Sequence, residues 1–235
     1  MKRFYKMVSV QSGPDGYGVF LDGKPVRTPM KNILQTRHER LVQAVMTEWA
    51  KQIDLIDVPS MRLTQILSTR IDRVSTERAA MAARLMPYLD TDLLCYRTDF
   101  PPVLGQQQAT LWDPWLDWFA GRFSAPLMTT LDLEALRQPM ALHDLVSGFI
   151  HSLDDDHFAV LQIIVPATGS LVLGLAFVEG AITAEEAFAA IRVEENYKAA
   201  LYNEALHGPD PAQEKKDHAI MSDLKACAEF LSLLG

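Results

Sequence analysis

Residues 33–49 read Ile33-Leu34-Gln35-Thr36-Arg37-His38-Glu39-Arg40-Leu41-Val42-Gln43-Ala44-Val45-Met46-Thr47-Glu48-Trp49, and the period of the apolar residues changes inside them. Upstream the period is two. Phe4, Lys6, Val8 and Val10 fall on one strand face and Tyr5, Met7 and Ser9 on the other, while Tyr17, Val19 and Leu21 mark a second strand. Asp22-Gly23 supplies the positive φ angles of a tight hairpin turn, after which Lys24-Pro25-Val26-Arg27-Thr28-Pro29 returns as a short edge strand that tolerates proline. Downstream the period is helical. Thr36-Arg37-His38-Glu39 fits a capping box, in which the threonine oxygen and the glutamate carboxylate satisfy the first free backbone donors, and Leu41, Val42, Val45 and Trp49 form one stripe.

After an extended link containing Pro59, Leu63, Ile66, Leu67, Ile71 and Val74 repeat the i, i+3/i+4 spacing, which continues through Met81 and Leu85. Further helix starts are signalled by Asp113-Pro114, by Pro139 before Leu142, by Asp156, by Ser170, by Thr183-Ala184-Glu185-Glu186 and by Asp210-Pro211. His207-Gly208-Pro209-Asp210-Pro211 reads as a turn between helices. The expectation is an α+β chain: a small N-terminal twisted antiparallel β domain over residues 1–60, followed by a larger all-α helical domain over residues 61–235.

Composition narrows the function classes. Hydrophobic residues make up 49% of the 235, enough for a proper core. With 22 Lys+Arg against 30 Asp+Glu, the formal charge of −8 lacks the basic footprint that nucleic acid requires. Cys95 and Cys227 lie far apart and read as free, buried thiols in a reducing compartment. The first residues lead into the strand pattern without a secretory or organelle leader, so the expected location is the cytoplasm of a bacterium, or the mitochondrial matrix for a processed organelle protein. Phe158 to Val178 carries no charge and would span roughly 30 Å as one helix. Pro166-Ala167-Thr168-Gly169-Ser170 interrupts it, however, and acidic residues flank it, so two buried helices are expected rather than membrane insertion.

A search for chemistry returns little. Gly18-Val19-Phe20-Leu21-Asp22-Gly23-Lys24-Pro25 spaces glycines and a lysine like a phosphate loop, but Pro25 stands where a Ser or Thr must hold magnesium, and the segment reads as a hairpin. His38, His143, His151, His157, His207 and His218 show no metal-ligand spacing, and Asp154-Asp155-Asp156 reads as a negatively charged helix N-terminus. No catalytic residue, cofactor or metal is expected. Trp115, Trp118 and Phe119 on one helix side read as core, or, where partly exposed, as a binding anchor. Glu194-Glu195, beside Val193 and Tyr197, reads as a solvated face that can also recognise basic groups on a partner.

Several segments taken together resemble the assembly chaperone of the F-type ATP synthase that handles the alpha subunit of the catalytic head. They are Phe4-Tyr5-Lys6, Leu21 through Pro29, Glu48-Trp49-x-x-Gln52, Tyr88-x-x-Thr91-Asp92-Leu93-Leu94-Cys95-Tyr96-Arg97, Gln108-x-x-x-Trp112-Asp113-Pro114-x-x-x-Trp118, Gly169 through Leu173 and Glu186-Ala187. The resemblance implies a non-enzymatic chaperone, monomeric when free, that binds the unassembled alpha subunit and prevents its aggregation until the beta subunit docks. It maps the family's late acidic motif onto Glu194 and Glu195, with Tyr197 beside them as partner-binding residues. Tyr88, Asp92, Arg97, Trp112, Pro114 and Trp118 are then mainly structural. Where the family continues with an aromatic, Gln and Trp-Gly, this chain has Tyr197, Lys198 and Tyr202-Asn203. The competing reading is a small-molecule enzyme with a pocket between the β and helical domains, drawing on Asp92, Arg97 and Glu194.

Overall fold

The computed structural model describes residues 1–202, 208 and 210–235; Asn203, His207 and Pro209 lie outside the described residues. The expected fold class holds: a small antiparallel sheet of four strands precedes a larger helical region. By contact density the chain forms two compact units, one of residues 1–78, 154–160 and 226–235, the other of residues 79–153 and 161–225. Leu63, Ile66 and Leu67 are buried within the first unit, and two later segments return to it.

In the first unit, β1 (Val8–Gly13) and β2 (Gly16–Leu21) pair with Val8 opposite Leu21. Asp22 and Gly23, at φ 47° and 79°, make the expected turn into β3 (Lys24–Pro25). The Asp22 carboxylate then accepts bonds from the Lys6 and Met7 amides, which hold its pKa low and tie the N-terminal segment to the turn. The first expected strand begins later than its alternation suggests: Tyr5 is buried but Phe4 is exposed, and the Tyr5 hydroxyl donates to the Trp49 carbonyl instead. β4 (Gln35–Thr36) pairs with β2, so Thr36 is a buried strand residue and not a helix cap. The helix α1 (Glu39–Ala50) starts after His38 without any side-chain cap. Tertiary pairing of Thr36 with Tyr17 overrides its local capping preference.

Leu41, Val42 and Val45 of α1 are fully buried and pack under the sheet. α2 (Arg62–Thr69) packs on α1, and its first amides are capped at a distance: Glu48 accepts from the Leu63 and Thr64 amides and the Thr64 hydroxyl. Gln52 accepts from the Asp57 amide, so the Glu48-Trp49-x-x-Gln52 motif is a brace for the extended link. A π-helical turn follows over Arg70–Val74 and leads into α3 (Ser75–Leu85). Its extra residue carries Asp72 inward, against the single helical stripe read from the sequence.

In the second unit, 3₁₀ turns at Met86–Leu89 and Leu93–Cys95 precede α4 (Pro102–Phe123). The helix start expected at Asp113-Pro114 is not one: α4 begins eleven residues earlier and carries Pro114 internally. Losing one backbone bond costs about 3 kcal/mol, and burial of Gln108, Trp112, Phe119 and Phe123 along the same helix outweighs it. α5 (Met140–Ser152) and α6 (Asp155–Thr168) follow, the latter beginning as expected at an acidic N-terminus where the Asp154 carboxylate caps the His157 amide. The apolar run does form two helices. The break falls at Gly169 (φ 66°), not at Pro166, and Ser170 caps the Leu173 amide of α7 (Leu171–Val178), which is buried all round. No helix among the described residues is long and apolar enough to cross a membrane.

α7 approaches α6 so closely that a Cβ on Gly174 would collide with the Val165 side chain and crowd Leu161. Gly174→Ala is therefore expected to destabilise by about 1–3 kcal/mol, the usual penalty of overpacking, where glycine-to-alanine in an open helix stabilises; a urea midpoint at or above that of the unmodified protein would contradict this. Among the described residues the remaining helices are α8 (Ala184–Ile191), opened by the expected Thr183–Glu186 capping box, α9 (Val193–Leu201) and α10 (Pro211–Ser232).

Candidate partner-binding site

Small residues on α8 set up the site. Ala184, Ala187 and Ala190 are buried, and their size lets α4 come close enough for the Trp112 indole N–H to donate to the Ala190 carbonyl at 2.7 Å. Two residues later the chain turns at Arg192 into α9, anchored by buried Val193. Glu194 and Glu195 thus occupy the first turn of α9, where the helix dipole favours negative charge.

The two adjacent glutamates face different surroundings. Glu194 accepts a 3.1 Å bond from the side-chain amide of fully buried Gln108, whose own oxygen accepts from the Thr98 amide at 2.8 Å. It braces α9 to α4. Glu195 instead lines a groove of about 360 Å³ together with Arg192, Lys198, Tyr202, Asp210 and Gln213. Positions 195, 198 and 202 share one helical face, so the groove wall is a carboxylate, an ammonium and an aromatic ring in succession. Arg192 pairs with Asp217 at 3.2 Å, and Gln213 donates to the same Asp217 at 2.7 Å, which fixes the opposite wall. Tyr197 is half-buried; the large exposed side chains at this end of α9 are Leu201 and Tyr202, 66% and 76% exposed. Sequence reading noted Tyr202 only as a departure from a pattern, although the i, i+7 spacing from Glu195 was available as a signal.

The residues expected to be structural lie in two braces. Asp92 is fully buried and accepts from the Ser170 hydroxyl at 2.8 Å and from the Val172 and Leu94 amides at 2.9 and 3.1 Å. Burial dominates and pushes its carboxyl up to about 6, against those bonds, which favour the anion. Arg97 pairs with Asp113 at 2.7 Å and lies over the Trp112 ring. Pro114 is exposed within α4, and Tyr88 and Trp118 are half-buried, whereas Trp112 is sealed. Asp90 was missed: its carboxylate accepts from the Gln138 amide and meets the His143 ring at 3.0 Å, pinning the long segment after α4. Asp92, Arg97 and Glu194 are each engaged by separate partners rather than converging on one cavity.

Both cysteines are free and buried, and burial pushes each thiol up to about 12. Neither is expected to react with a disulfide reagent at neutral pH until the protein unfolds; prompt native-state labelling would contradict that. Among the described residues no group of three or more His, Cys, Asp or Glu is placed to hold a metal ion.

The family model described as ATP12 chaperone protein matches residues 2–120. The crystal structure of Atp12 from Paracoccus denitrificans aligns over 100% of this chain and 98% of that chain, with 33% identity and a TM-score of 0.90. A point mutant of the same protein aligns equally well. The Atu1473 protein of Agrobacterium tumefaciens aligns over 100% of this chain and 86% of that chain, with 29% identity and a TM-score of 0.90. A family match over half the chain and a full-length relative at one-third identity lead to one conclusion: the chain belongs to the ATP12 chaperone family, the ATP synthase assembly chaperones that its central motifs resemble.

Proposed function

We propose that the chain binds the unassembled alpha subunit of the F-type ATP synthase head, keeps it from aggregating and yields it to the beta subunit. An orphan subunit exposes an apolar interface that associates wrongly unless covered. The observation that carries the partner-binding reading is the face of α9, where Glu195 and exposed Tyr202 border one groove with Lys198. Exposed aromatics beside charges are the usual anchors of protein interfaces. Glu194, taken up by Gln108, contributes by holding α9 in place, and Tyr197 flanks the contact. In this reading the protein is not an enzyme, works without cofactor, is monomeric when free and acts in the cytoplasm of a bacterium.

The test is Glu195→Lys. It reverses the charge at a half-buried position whose carboxylate faces the groove, so co-purification with tagged alpha subunit is expected to weaken about tenfold while the melting temperature stays within a degree or two. Unchanged capture by a folded variant would remove Glu195 from the interface.

A further inference from the structure

The first unit carries an apolar groove of about 580 Å³ that the α9 contact does not use. Its walls are Val26, Met30, Leu34, Trp49, Val58 and Met61, of which Met30 and Val58 stand 61% and 52% exposed at the rim. The groove is pre-formed. Asp72, carried inward by the π-helical turn, accepts from the Thr28 hydroxyl, the Met30 amide and the Asn32 side-chain amide, and so clamps the 28–32 loop that forms one wall. Burial raises the Asp72 carboxyl, but these bonds outweigh it and hold it below the ordinary range, so the clamp is ionised at neutral pH. Part of the polar lining is committed, Thr28 to Asp72 and Thr64 to Glu48. The wall is otherwise mainly hydrocarbon, with the Trp49 indole N–H left without a hydrogen-bond partner among the described residues, and such a surface suits the side chains of a polypeptide better than a small molecule that needs several convergent polar groups.

Arg27 and Arg73 stand in the lining although the chain as a whole carries −8. Lys24, Arg27 and Lys31 fall within eight residues that contain no acid. Arg27 donates to the Lys31 carbonyl, and among the described residues it makes no ion pair. Among the described residues Arg73 has only the exposed i+4 pair with Glu77, of a kind that contributes little. Of the acids in or beside the wall, Asp72 is consumed by its clamp and Glu48 by Leu63 and Thr64, while exposed Asp57 adjoins Val58. We propose that this groove is a second docking site for the alpha subunit, and that its occupant is an amphipathic segment that sets apolar side chains on Met30, Trp49 and Val58 and a carboxylate against Arg27 and Arg73. The proposal rests on the alpha subunit being the client.

Two variants of the full chain test it, Met30→Asp with Val58→Asp and Arg27→Glu with Arg73→Glu, each measured for equilibrium binding to purified alpha subunit beside the unmodified protein and Glu195→Lys. Each pair is expected to weaken binding about tenfold or more, and the arginine pair is expected to flatten the salt dependence. Folded variants that bind within twofold of the unmodified protein overturn the groove while leaving the α9 reading intact. Absence of binding by the unmodified protein overturns the client, and both sites with it. A photo-crosslinking residue at exposed Val58 gives a readout independent of variant stability. The expected adduct is with an apolar alpha-subunit segment carrying Asp or Glu, whereas no adduct, or one only with a second copy of this chain, would overturn the proposal.

Discussion

Asp92→Ala is expected to cost about 3–5 kcal/mol, enough to leave a domain of ordinary stability largely unfolded. The substitution strands three buried donors at once, the Val172 and Leu94 amides and the Ser170 hydroxyl. Together they join the turn at Leu93–Cys95 to the start of α7, the helix buried on every side. Asp92→Asn keeps an acceptor for some of them but turns an amide N–H toward another donor, so an intermediate loss is expected. The pair also reports on pH. The folded protein holds the Asp92 proton up to about 6, whereas an aspartate in the unfolded chain titrates near about 3.9. A raised folded value means that this stabilisation is complete below about pH 4, declines as the pH rises and is gone above about pH 6, with an amplitude on the order of 3 kcal/mol. Urea midpoints should therefore fall between pH 4 and 6.5 for the unmodified protein relative to Asp92→Asn. Parallel pH profiles for the two proteins would show that the carboxyl is not proton-linked to folding.

Trp112→Ala ranks second, at about 3–5 kcal/mol for emptying a fully buried indole site. Trp112→Phe separates the contributions, because it keeps much of the hydrocarbon but abandons the Ala190 carbonyl, for an expected loss of about 1–3 kcal/mol. Arg97, stacked over the ring, loses part of its support in both. At a temperature where the Phe variant is still folded, its affinity for the alpha subunit should match that of the unmodified protein. A folded Trp112→Phe variant with tenfold weaker binding would place the tryptophan in the interface and refute the separation drawn between brace and contact.

The parts of this fold that were legible from sequence are those fixed by neighbours along the chain. Asp22-Gly23 can make its turn because the angles are local, and the Thr183–Glu186 box and Ser170 cap close within three residues. The misreadings share the opposite property. Thr36 has the right neighbours for a cap but is claimed by Tyr17 in a strand, and Pro114 looks like a helix start because its cost is repaid by side chains buried against α7, α8 and α9. The π-helical turn at 70–74 carries no local signature, yet it alone brings Asp72 to the 28–32 loop. The same limit applied to the site. Glu194 and Glu195 are equivalent in sequence, and only Gln108, 86 positions away, distinguishes the brace from the groove residue.

Light scattering reads the proposed protection of an orphan alpha subunit without any intermediate step. Purified alpha subunit, diluted from denaturant without nucleotide, should remain clear in the presence of an equimolar amount of this protein and turn turbid in its absence. Equal scattering with and without the protein would contradict the account.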